Sequence, residues 1–129
     1  MPLPVDFPNA EHLIVDYLNG AGIGAPVRTS VPNPRPAAFV VVRRQGGIAL
    51  GPVTDGPLLT VEAWDNNPTP AEARLQLVRR KLHELPGTML AGHPVYHVTE
   101  VGGPGNLPDA ESDQARYTML VQISIRGWS

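Results

Sequence analysis

The chain has no cysteine. Disulfides, thiolate catalysis and cysteine–zinc sites are therefore excluded, and redox usage says nothing about the compartment. Lysine is almost as scarce: Lys81 stands alone, so arginine carries nearly all the positive charge. Arginine suits bidentate contacts and interface ion pairs better than lysine does. Charge of one sign is missing too. The formal net charge is -2 at pH 7, without the basic surplus of a nucleic-acid-binding domain. Aromatic residues make up only 5% of the chain. None lies near both Arg43-Arg44 and Arg79-Arg80 in sequence, whereas a single-strand-binding surface interleaves aromatic with basic residues. The longest apolar run is "AAFVVV", residues 37–42, far too short to span a bilayer. The start, "MPLPVDFPNAEH", shows no basic n-region and no apolar h-region, so no signal peptide is expected. A protein that is cytosolic where it is made, with no membrane partner, is the matching expectation.

What the chain does have is punctuation. Its fifteen prolines and thirteen glycines sit between periodic segments rather than in a tail. A length of 129 residues fits one domain, residues 1–129, with room for a real core. No internal repeat is visible.

The periodic segments predict secondary structure. Leu13, Ile14, Tyr17 and Leu18 recur at helical spacing, with Asp6 or Asn9 to cap and Gly20 to stop, so residues 9–19 read as a helix. Residues 27–31 read as a short strand. Pro32, Pro34 and Pro36 force an extended path that suits an exposed edge or connection. "AFVVVRR" is a strand buried on both faces. Residues 48–56 are either a loop or a twisted ribbon, with a turn signal at Asp55-Gly56. In residues 57–64, Leu59, Val61 and Ala63 face one way, and Thr60, Glu62 and Trp64 face the other. "TPAEARLQLVRRKLHELPG" reads as a helix over residues 70–85. Thr69 is its N-cap, Pro70 its first residue, and Glu72 completes a capping box. Residues 95–102 are a strand, and a glycine-rich loop follows. From Tyr117 to Ile125 apolar residues alternate with others, giving a long half-buried strand. The expected fold class is α+β: a mixed, mainly antiparallel β-sheet with two α-helices packed on one face.

Three chemical readings can be tested on these elements. "GGPGN" follows a strand, as a phosphate loop would. A phosphate loop also needs a helix directly after it and a Gly-Lys-Ser/Thr element. Here the sequel is "LPDAESDQARY", whose three acids repel phosphate. His93 and His97 are four apart, but on a strand that spans about 13 Å, so the rings cannot share an ion. His12 and Asp16 read as a surface pair, and no Ser-His-Asp motif is present. The expectation is no enzyme, no cofactor and no metal.

Protein contact is the remaining use for the polar residues. Arg43-Arg44 ends a buried strand, and Arg79-Arg80 lies on a helix; both suit solvated faces or subunit ion pairs. Trp64 places its ring on the polar face of its strand, where it is either exposed, as tryptophans at contact surfaces tend to be, or simple core under a helix. Residues 45–57 are long for a strand connection, and are expected to project from the sheet and to be mobile in the free subunit. Asp109, Glu111 and Asp113 cluster after the glycine-rich stretch. Candidate interface residues are thus Arg43, Arg44, Asp55, Trp64, Arg79, Arg80, Asp109, Glu111 and Asp113.

The ordered set of segments resembles the tail terminator proteins of long-tailed (siphovirus-type) phages that infect actinobacteria. The resemblance runs over residues 10–126. It is carried by "AEHLIVDYLN", "VRTSVPNPRPAAFVVVRRQGG", "LLTVEAW", "AEARLQLVRRKL" and "VGGPGNLPDAESDQARYTMLVQISIR". It implies a non-enzymatic virion protein of the tail-neck region. Such proteins form a ring, usually of six, that caps the tail tube, ends its growth and presents a surface to the head connector or stopper. DNA passes through the ring without specific binding. The alternatives are another neck protein, a head-closure or connector subunit, or else a small cytosolic ligand-binding domain or enzyme.

Overall fold

The structure is a computed structural model that describes residues 4–128. Helix α1 spans Ala10–Asn19. The Asn9 side chain caps it by accepting from the His12 N–H at 3.1 Å, which satisfies one orphan donor of the first turn. Ala10, Ile14 and Leu18 turn inward. Helix α2 spans Pro68–His83 and buries Ala71, Leu75, Val78 and Leu82.

Helix α2 begins two residues earlier than the capping-box reading places it. Asn67 is the N-cap, without a side-chain cap bond, and Pro68 opens the helix. The Asp65 carboxylate accepts from the N–H of Asn66 at 2.7 Å and of Asn67 at 3.5 Å, and so holds the turn that leads in. Glu72 lies inside the helix and accepts from the Gln76 amide at 3.0 Å instead.

Strands β1 (Val27–Arg28), β2 (Phe39–Arg44), β3 (Thr54–Asp55), β4 (Leu58–Asp65), β5 (Met89–Leu90), β6 (His93–Asn106) and β7 (Ala115–Arg126) form one sheet. The order is β1-β2-β4-β7-β6-β5, with β3 pairing β7 beside the end of β4. Only β1 and β2 run parallel; the other pairings are antiparallel. Both helices pack on one face, giving the α+β class expected.

Period-two alternation decides what that face buries. Val40 and Val42 of β2, Leu59, Val61 and Ala63 of β4, and Met119, Val121, Ile123 and Ile125 of β7 meet the two helices in the main core. Each fully buried Val, Leu, Ile or Met among them contributes about 1.5–3 kcal/mol relative to exposure. The Tyr17 hydroxyl donates to the Lys81 carbonyl at 2.7 Å and joins the helices. Burial pushes its pKa up. Phe39, Val41 and Trp64 form a second core on the opposite face, under the proline-rich segment that carries Val31. The "AFVVV" strand is thus buried on both faces.

The stretch "GGPGN" is strand, not loop. It forms the distal end of β6, with Gly102 opposite Leu120 and Gly105 opposite Thr118. Register shifts between Glu100 and Gly105 interrupt the regular pairing there. Beyond its short pairing with β5, β6 is an edge, and an edge tolerates proline because the missing N–H has no partner to lose. The loop proper is the tip between β6 and β7, residues 107–114.

Candidate protein interface

Residues 45–57 do not project as a free loop. They continue β2 and β4 as a two-stranded ribbon. Gln45 N–H donates to the Leu58 carbonyl, Gly56 N–H to Ile48, and Leu50 N–H to Thr54, at 2.7, 3.1 and 2.8 Å. The turn therefore lies at residues 50–54, not at Asp55-Gly56. Gly47 has φ 89, and a Cβ there would stand 2.1 Å from the Gly56 carbonyl oxygen, so only glycine lets the two halves close. Ile48 at the tip is 77% exposed and Leu50 51%. No sequence signal marked these two apolar side chains; the chain shows them only once the ribbon is folded.

Arg44 and Asp55 lock the ribbon's base. The guanidinium gives the buried carboxylate two hydrogen bonds, at 2.9 and 3.2 Å. It also reaches the Gly46 and Gly47 carbonyls. Both candidate residues are therefore satisfied within the subunit.

Trp64 is not exposed. It is buried, with its ring 5.1 Å from that of Phe39. The guanidinium carbons of Arg35 and Arg116 sit 5.3 and 5.0 Å from its ring centre, a cation–π arrangement. Its Nε1–H donates to Glu62 at 3.4 Å. Arg43 and Arg116 approach the same carboxylate at 3.8 and 3.9 Å.

Arg79 reaches across to Glu100 on β6, with two bonds of 2.8 Å. His83 meets the same carboxylate at 2.7 Å. The Arg79 hydrogen bond holds the Glu100 carboxyl below the usual carboxylate range, against a smaller opposing effect of burial. Arg80, the neighbouring candidate, is exposed and joins no ion pair among the described residues.

The acidic cluster divides in two at the hairpin tip. Asp109 accepts from the Ser112 backbone N–H at 3.0 Å and from the Ser112 hydroxyl. Arg35 stands 3.6 Å away. The Ser112 hydroxyl bond is the largest cause of the lowered Asp109 pKa. Glu111 and Asp113 are exposed. Asp113 adopts φ 56, a conformation that aspartate tolerates better than most residues.

Among the described residues no group of three His, Cys, Asp or Glu is placed to hold a metal ion, and no helix is long and apolar enough to cross a membrane. The surface offers exposed Ile48 and Leu50 near the end of the ribbon, a β6 edge carrying exposed Tyr96 and Val101, and an acidic hairpin end.

No protein-family model matches this sequence, and no curated protein matches it. In fold the chain is similar to a chain in the virion of a native gene transfer agent (GTA) particle. The TM-score is 0.60 at 14% identity, over 92% of this chain and 87% of that one. At this identity the likeness is one of fold.

Proposed function

We propose that this protein is a structural component of a phage-type virion, and within it a tail terminator. One observation carries the reading: the fold is that of a virion chain over 92% of its length. The sequence resemblance to tail terminators supports the finer role. The protein forms a ring, of six by that resemblance, that caps the tail tube, ends its polymerisation and offers its other side to the head connector or stopper. Its work is assembly, not catalysis.

The geometry supports repeated subunit contact. The hydrogen-bonded ribbon presents Ile48 and Leu50 to solvent, where a neighbouring subunit can bury them. The exposed acids Glu111 and Asp113 and the unpaired Arg80 are suited to setting register between copies, a role in which surface charges outperform their small individual energies.

The test mixes purified protein separately with tail tubes and with portal-bearing heads, and images both by negative stain. Rings at tube ends are expected, and Ile48→Asp should reduce them while leaving the subunit folded. Binding to heads alone would make it a head-closure protein; binding to neither would remove it from the neck.

A further inference from the structure

Asp6 and Trp128 meet at a second site that the tail-terminator role does not use. Asp6 and Trp128 pair as antiparallel backbone, with the Asp6 N–H 2.7 Å from the Trp128 carbonyl and the Trp128 N–H 3.1 Å from that of Asp6. Beside them a cleft of about 320 Å³ is lined by Asp6, Phe7, Pro8, His93 and Trp128.

Trp128 is 52% exposed, yet it is fixed. The His93 ring stacks on it at 4.3 Å and 22°. Gly92, at φ 82, lies so close that a Cβ there would come within 2.5 Å of the indole. His93 is anchored in turn, its Nδ1 2.8 Å from the Arg126 carbonyl. A carbonyl only accepts, so Nδ1 carries the proton. A tryptophan held open in this way loses little freedom on binding, and such residues dominate contact energies.

The charge of the cleft selects its occupant. Asp6 is exposed and joins none of the ion pairs among the described residues. An anion would be repelled by it. A purely apolar side chain would gain nothing from the Asp6 charge. A cation over an aromatic face, with a carboxylate beside it, satisfies both surfaces.

We propose that this cleft is a docking site for a cationic side chain, arginine or lysine, presented by a neighbouring protein chain. The proposal stands whether or not the protein is a tail terminator.

The test follows the Trp128 indole N–H by NMR during titration with N-acetyl-arginine methylamide, its lysine counterpart and the neutral citrulline counterpart. The Trp64 indole is the internal control. The arginine and lysine probes should shift Trp128 and not Trp64, and citrulline should not. Asp6→Asn, which keeps the backbone pairing, should weaken the arginine response about fivefold. No response, an equal response to citrulline, or an unchanged response in Asp6→Asn would each overturn the proposal.

Discussion

Arg44 holds Asp55 with two nitrogens, at 2.9 and 3.2 Å, and with the same guanidinium holds the carbonyls of Gly46 and Gly47 at 2.8 and 3.2 Å. One side chain thus closes the base of the ribbon that carries Ile48. Its neighbour Arg43 is different: it is partly exposed and only approaches Glu62 at 3.8 Å.

Arg44→Ala should therefore destabilise the subunit by about 2–4 kcal/mol, since it strands a buried carboxylate. Arg43→Ala should stay within about 1 kcal/mol. Arg44→Lys should recover only part of the loss, because an ammonium cannot reproduce the planar fork. Equilibrium urea unfolding reads all three; equal losses at positions 43 and 44 would contradict the assignment.

Trp64 is a core residue here, so truncation should cost folding before it costs contact. Trp64→Ala is expected to lose about 3–5 kcal/mol, the range for emptying a large buried aromatic site. Trp64→Phe keeps the stack on Phe39 but loses the Nε1–H bond to Glu62, and should lose less. A Trp64→Ala protein with an unchanged midpoint would mean that the ring is not packed as described.

Much of this architecture is legible in the residues. Asn9 caps α1, the unbroken β-branched run of β2 is buried on both faces, and the alternations of β4 and β7 divide their side chains correctly. What hides is coverage by distant chain. Alternation puts the Trp64 ring on the polar side of β4, but nothing local shows that residues 31–36 fold over that side. Arg79 and Glu100 are 21 residues apart, so their pairing depends on β6 lying beside α2. "GGPGN" carries turn residues, and only its place at an irregular sheet edge makes it strand. At α2, Pro68 and Pro70 both fit a first helical position, and the Asp65 turn decides between them.

The acids at the hairpin tip should separate under mutation. Asp109→Ala removes both Ser112 hydrogen bonds and the Arg35 partner, and should lower the thermal midpoint measurably. Glu111→Gln combined with Asp113→Asn should leave the midpoint nearly unchanged, since both side chains are exposed and Asn tolerates the φ at position 113. Differential scanning calorimetry distinguishes them. Equal shifts would show that the tip is not held by Asp109.

Glu100 gives a pH prediction. Its carboxyl is held below the usual range chiefly by the Arg79 hydrogen bond. A carboxyl depressed in the folded state contributes stability that is fully present above its unfolded pKa and is lost as pH falls through the folded value. The stability gap between wild type and Glu100→Gln should therefore be widest near neutral pH and should close below the ordinary carboxylate range. A gap that is constant with pH would contradict the ionic assignment.

As a tail terminator, the protein would end tail growth. The most direct measurement is the tail-length distribution, by electron microscopy, of particles assembled without it. Abnormally long tubes that are not joined to heads are expected. Tails of normal length joined to heads in its absence would contradict that role.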